Sequence, residues 1–224
     1  MELSIENRIA VVRENIEKAA GGRPVCLVGV AKTKPAELVR QAIAAGLDTV
    51  GENYVQEIQD KSGCGAYEGA AVHMIGHLQK NKVKYIAGKV DLIQSVDSFA
   101  LMELISKRAQ SLGRVQDILL EINIGGEVSK TGVVPAALEE LLSLAGGLPG
   151  VCVRGLMAIP PAENSVRYFA RMNQLYIDNK EKKYDNVSMD FLSMGMSDDY
   201  IEAIQEGANM VRVGSFIFGP RNYT

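Results

Sequence analysis

VCLVGVAKTKPAELVRQAIAAGLDTVGE, residues 25–52, passes from strand to helix and back to strand. Residues 25–31 form a short apolar run that reads as a buried strand. Residues 35–45 read as a helix: Pro35 falls where a first turn tolerates proline, and Gly46 falls where a helix should stop. Residues 49–52 form the next strand. Outward from this unit the alternation continues, with further strands expected at 72–76, 92–96, 118–124, 153–159, 191–195 and 210–213. Helical segments are expected at 54–61, 79–87, 98–112, 135–145, 163–182 and 198–206, with Pro135 and Gly207 as a second start and stop. Before them all, Ile5, Ile9, Val12 and Ile16 recur at helical spacing. Eight strands joined by seven helices, with an extra N-terminal helix, predict a single α/β domain over residues 1–224, a (β/α)8 TIM barrel. The competing architecture, an open doubly wound sheet, calls for fewer strands or a glycine-rich dinucleotide fingerprint, and no G-x-G-x-x-G follows the first strand.

Bulk properties narrow the function. The 224 residues are 47% hydrophobic and 23% charged, enough for a sizeable core. A net charge of -3 offers no basic field for nucleic acid or anionic lipid. An odd set of three cysteines, without C-x-x-C or Cys/His spacing, argues against a disulfide framework or a zinc site. Cys26 and Cys152 read as buried small hydrophobes, and Cys64 lies in a glycine-flanked loop. Glu2, Glu6, Arg8, Arg13 and Glu14 interrupt any signal-peptide core, and residues 141–153, the longest uncharged apolar stretch, contain Gly-Gly and Pro. A cytoplasmic protein is expected.

In a barrel the chemistry gathers at the C-terminal ends of the strands. Cys26, Val28, Val30 and Lys32 share one strand face, so an inward-facing first strand sends the Lys32 amine into the mouth beside apolar walls. Desolvation there would favour a neutral amine, as a Schiff-base lysine requires, while a solvated strand-end lysine is the ordinary alternative. Lys34 competes for the role but stands beside Pro35 at a helix start. Near the C-terminus, Ser193-Met194-Gly195-Met196-Ser197-Asp198-Asp199 runs from a strand into a helix, where exposed N–H groups attract phosphate; Ser197 could equally serve as an N-cap. Val211-Arg212-Val213-Gly214-Ser215 forms the next strand-to-loop unit. There Gly214 allows close backbone approach to an anion and Ser215 offers an N–H and a hydroxyl. Asn53, His77 and Met157 each end an expected strand and so face the mouth; Met157 is expected to pack. Asn53 and His77 join the expected cofactor-binding set: Asn53 can touch the ligand or cap a helix, and His77 can move a proton or serve structurally, while Lys130 can contact a phosphate or remain solvated.

Six collinear blocks then carry a resemblance: Val30-Ala31-Lys32-Thr33-Lys34, Gly51-Glu52-Asn53-Tyr54-Val55-Gln56-Glu57, Ile75-Gly76-His77-Leu78-Gln79-Lys80-Asn81-Lys82, Ser129-Lys130-Thr131-Gly132, Gly155-Leu156-Met157, and the run from Leu192 to Arg221. Together they resemble the YggS/PROSC family of pyridoxal phosphate-binding proteins, whose fold is similar to the barrel of alanine racemase. The resemblance implies pyridoxal 5′-phosphate as cofactor, a Schiff base on Lys32, phosphate held by Ser197, Gly214 and Ser215, and Arg212 facing the pyridine nitrogen. A guanidinium there stays protonated, donates to the nitrogen and discourages its protonation, which limits carbanion chemistry.

Three functions compete. The first is a monomeric protein of pyridoxal phosphate homeostasis that stores, buffers or delivers the cofactor, with amino acids and apoenzymes as possible partners. The second is a racemase or decarboxylase of the same barrel type, which needs a further domain and an opposed base; with Thr224 so soon after Gly214-Ser215, no such domain is expected. The third is a phosphate-binding barrel enzyme without an organic cofactor, in which Lys32 acts only by its charge.

Overall fold

Eight short parallel strands pair in sequential order, and the last returns to the first to close a barrel. This architecture, a computed structural model, describes residues 3–127 and 130–220; Ser129 and Arg221 lie outside the described residues. The strands are β1 (Cys26–Val30), β2 (Thr49–Glu52), β3 (Ala71–Met74), β4 (Leu92–Val96), β5 (Gln116–Glu121), β6 (Val151–Met157), β7 (Val187–Ser193) and β8 (Met210–Val213). Outside them run α1 (Ile5–Ala20), α2 (Ala36–Ala44), α3 (Val55–Gly63), α4 (Val83–Ile86), α5 (Phe99–Ser111), α6 (Leu138–Ala145), α7 (Ser165–Lys180), α8 (Tyr200–Gln205) and α9 (Ser215–Phe218). The expected (β/α)8 barrel with a leading helix is therefore the fold. No helix among the described residues is long and apolar enough to cross a membrane.

Strand parity divides the core in two. Leu27, Val50, Val72, Ile93, Ile118, Val153, Leu192, Val211 and Val213 face outward into the layer between sheet and helices. Val28, Leu92, Leu119, Met157 and Met210 fill the barrel interior. The α1 helix adds Ile9, Val12 and Ile16 to the outer layer, and the Ser4 hydroxyl accepts from the Asn7 N–H at its start.

Several local expectations shift. Pro35 is the N-cap of α2, one residue before the first turn, whereas Pro135 opens a 3-10 turn ahead of α6. Gly46 and Gly207 do stop their helices, with φ of 92° and 104°. Cys26 and Cys152 are half-buried. β5, β6 and β7 begin two to four residues earlier than expected, at Gln116, Val151 and Val187, and so take in Asp117 and Asp190. Arg154 pairs with Asp117 at 3.1 Å and Asp190 at 2.6 Å across three adjacent strands. The short α9, unexpected from the sequence, packs against α1 and ends at Gly219.

Candidate functional site

Lys32 lies in the turn just past β1, half-buried. Below it on the same face, Val28 sits in the barrel interior and Val30 lines a cleft at the C-terminal mouth. That cleft, about 260 Å³, is lined by Lys32, Asn53, Ser197, Arg212, Gly214 and Ser215, with Val30, Ile75, Ile159 and Met196 as apolar walls. Six of the seven residues singled out for the cofactor thus converge from β1, β2, β7 and β8. His77 does not join them. It stands beyond the end of β3, exposed, with Nδ1 3.6 Å from Asp97 Oδ2 in a neighbouring cleft. Met157 is fully buried in the interior and packs, as expected.

Lys34 lines the same cleft, closer to the chemistry than its place beside Pro35 suggested. Its Nζ donates to the Pro220 carbonyl at 2.6 Å, and desolvation with the nearby Arg8 holds its pKa below the usual lysine value. The C-terminal loops meet through Ser197, whose hydroxyl oxygen accepts from the Gly214 N–H at 3.2 Å. Ser197 is therefore no cap; Asp199 is the N-cap residue of α8, and its carboxylate accepts from the Met196 N–H at 2.7 Å. The Ser197 proton remains available to donate. A Cβ on Gly214 would stand 3.2 Å from the Val30 Cβ, so a larger residue would push the β1 wall by a few tenths of an ångström. Gly76 plays a related part: a Cβ on it would come within 2.3 Å of the Asn53 carbonyl oxygen, so glycine lets the β2 and β3 loops touch. The Asn53 side-chain Oδ1 is buried without a partner.

Arg212 is the deepest charge of the site, 4% exposed. Its neighbours Val211 and Val213 face the helices, so parity sends the guanidinium inward. It donates to Ser193 Oγ at 2.6 Å and to the Ala158 carbonyl at 2.9 Å. Ser193 then donates to Gln94 Oε1 at 2.7 Å, and Gln94 Nε2 reaches His73 Nδ1 at 3.0 Å. With the amide donating, His73 must be neutral and carry its proton on Nε2. Burial, against a weaker pull from Asp91, pushes His73 down to about 4. Burial also lowers Arg212 to about 10, opposed by Glu121 and Asp199, so at neutral pH it remains a cation.

Sequence reasoning missed a group behind the Lys32 turn. Lys61, 6% exposed on α3, donates through Nζ to Glu52 Oε1 at 2.6 Å, Glu57 Oε2 at 2.9 Å and the Ala31 carbonyl at 2.9 Å. The only signal was the Glu57 and Lys61 spacing of four, which usually marks a surface pair. Tyr67 donates to Glu52 Oε1 at 3.0 Å. Burial raises Glu52 to about 7 against the attraction of Lys61.

Comparison with known proteins gives the family. The alanine racemase N-terminal domain family matches residues 5–222. A pyridoxal phosphate homeostasis protein of Aquifex aeolicus is 44% identical, over 96% of this chain and 98% of its own length. PipY of Synechococcus elongatus, solved with pyridoxal phosphate bound, superposes with a TM-score of 0.84 at 33% identity, covering 96% of this chain and all of PipY. An alanine racemase of Clostridium difficile shares the fold at a TM-score of 0.71 and 17% identity, with 56% of its chain covered. The chain belongs to the alanine racemase N-terminal domain family, and within it to the pyridoxal phosphate homeostasis proteins.

Proposed function

We propose that this protein holds pyridoxal 5′-phosphate in the mouth cleft, with Lys32 as covalent anchor, and stores, buffers or delivers it in the cytoplasm as a monomer of one domain. The observation that carries this reading is the meeting of the Lys32 amine and the buried Arg212 cation in one cleft with Ser197, Gly214 and Ser215. The residues fit the group: a phosphate needs donors, and the cleft offers the Ser197 and Ser215 hydroxyls beside a glycine that admits close approach. The unpartnered buried oxygen of Asn53 supplies an acceptor for a cofactor hydroxyl. The relatives' names and the pyridoxal phosphate bound to PipY support the same cofactor.

When bound, pyridoxal phosphate supplies an aldehyde that a primary amine captures and a ring that withdraws electrons. Lys32 provides the amine, and Val30 and Ile75 shield it from water. Arg212 would keep its own proton and, if it faces the ring nitrogen, would leave that nitrogen unprotonated, which weakens the electron sink. Among the described residues lining the cleft there is neither histidine nor tyrosine to oppose Lys32 as a second base. His77, in the adjoining cleft, takes no part in this reading. Amino acids and apoenzymes are the expected partners. The test is to incubate cofactor-loaded protein with each L-amino acid in deuterated water, and separately with an apoenzyme. Stoichiometric transfer without α-carbon exchange is expected; turnover in the usual enzymatic range of about 1–1000 per second would overturn the reading in favour of a racemase-type enzyme.

A further inference from the structure

Two peptide planes set the backbone of Lys32. One carries the Ala31 carbonyl, the other the Thr33 N–H. Each is tied to α3. The Ala31 carbonyl accepts from Lys61 Nζ at 2.9 Å and also from the Lys34 N–H at 3.1 Å. The Thr33 N–H donates to both carboxylate oxygens of Glu57, at 3.0 and 2.9 Å. Lys61 and Glu57 are themselves paired at 2.9 Å, so one ion pair grips the chain on both sides of Lys32.

Two further facts argue that this grip has a purpose beyond stability. Thr33 has φ of 63°, a left-handed conformation that is strained for a β-branched residue and persists only where its surroundings enforce it. The ion pair with Glu52 is buried, with side chains 8% and 0% exposed, and Glu52 Oε2 has no partner. Buried pairs of this kind are a poor source of stability, since apolar side chains of similar volume usually do as well. Their value lies in geometry, and the geometry here is that of the Lys32 turn.

We propose that Lys61 and Glu57 are positioning residues for the cofactor-anchoring lysine, holding the Lys32 backbone so that its amine is presented to the cleft. The inference rests on the reading of Lys32 as covalent anchor. It assigns a role to α3, an element that contributes nothing to the cleft lining itself.

Glu57→Ala removes the acceptor from Thr33 at a half-buried position, and Lys61→Met removes the grip on Ala31. Glu57→Gln keeps an acceptor and serves as the conservative control. Two quantities are measured on the full chain: the rate at which a borohydride-fixable adduct forms on Lys32, and the affinity for pyridoxine 5′-phosphate. That probe has an alcohol in place of the aldehyde, so it senses the cleft without the lysine. Adduct formation is expected to slow roughly tenfold to a hundredfold in Glu57→Ala and Lys61→Met, the scale of a small misplacement of a reacting group. Pyridoxine 5′-phosphate binding should be unchanged, and Glu57→Gln should recover most of the lost rate. Should Lys61→Met fail to fold, the Glu57 pair decides alone. An unchanged adduct rate in Glu57→Ala would overturn the inference. So would parallel loss of rate and of pyridoxine 5′-phosphate affinity, which marks a merely structural role. Absence of any adduct on Lys32 in the wild type would instead defeat the anchor assignment, a separate result.

Discussion

Ser197 comes from the loop after β7 and is fixed by its hydrogen bond from the Gly214 N–H, and Ser215 opens α9 just after β8. If both hydroxyls reach the cofactor phosphate, Ser197→Ala with Ser215→Ala should weaken its retention by roughly 2–4 kcal/mol, about 1–2 for each bond to a charged group. Equilibrium dialysis of pyridoxal phosphate and of unphosphorylated pyridoxal measures this directly. The double variant should narrow the difference between the two ligands, and an unaltered difference would place the phosphate elsewhere. At this scale strand parity was legible for Lys32, whereas Arg212 was assigned only through the family resemblance; both line the cleft. His77 was misjudged because parity ends with β3 at Met74, and the loop beyond carries the ring to the Asp97 side. Lys61 and Glu57 escaped notice because their partners, Ala31 and Thr33, belong to a different strand-and-helix unit.

Between elements, the polar chain Arg212, Ser193, Gln94 and His73 crosses the barrel from β8 through β7 and β4 to β3. Gln94 is its hinge, fully buried and bonded on both ends. Gln94→Leu removes an acceptor from Ser193 and a donor from His73, leaving two buried groups to be satisfied. Each such group costs about 1–3 kcal/mol, so a loss of roughly 2–6 kcal/mol is expected in denaturant unfolding, without change in the slope. A loss under about 0.5 kcal/mol, the range of ordinary surface changes, would show that the chain is not a unit. The elements themselves were legible as alternating apolar and helical segments, and β2, β4 and β8 fall where expected. The early starts of β5 and β7 were hidden because Asp117 and Asp190, which pair with Arg154 on β6, interrupt the apolar runs that were the only signal sought. The four residues of α9 are too few to show a helical period.

For the molecule as a whole, two buried groups pull stability in opposite directions with pH. His73 binds its proton near 6.5 when unfolded but only at about 4 when folded. The stability from keeping it neutral is complete above 6.5 and is lost as pH falls toward 4. Glu52, raised from 4.5 to about 7, does the reverse: its contribution is complete below 4.5 and is lost as pH rises through 7. A wild-type curve therefore conceals both. Comparing wild type with His73→Gln at about pH 7 and about pH 5 isolates the first, and the wild type should lose roughly 2 kcal/mol relative to the variant on acidification. Equal pH profiles would mean that His73 is not held neutral. Barrel closure was foreseeable from eight alternating units, yet which side chains share the mouth depended on the loops, whose course no periodicity records. The cofactor site as a whole turns on one bond, and borohydride reduction of the cofactor-loaded protein followed by peptide mapping examines it. The adduct should lie on Lys32 alone and vanish in Lys32→Ala; an adduct on Lys34 or Lys82 in the wild type would contradict the assignment.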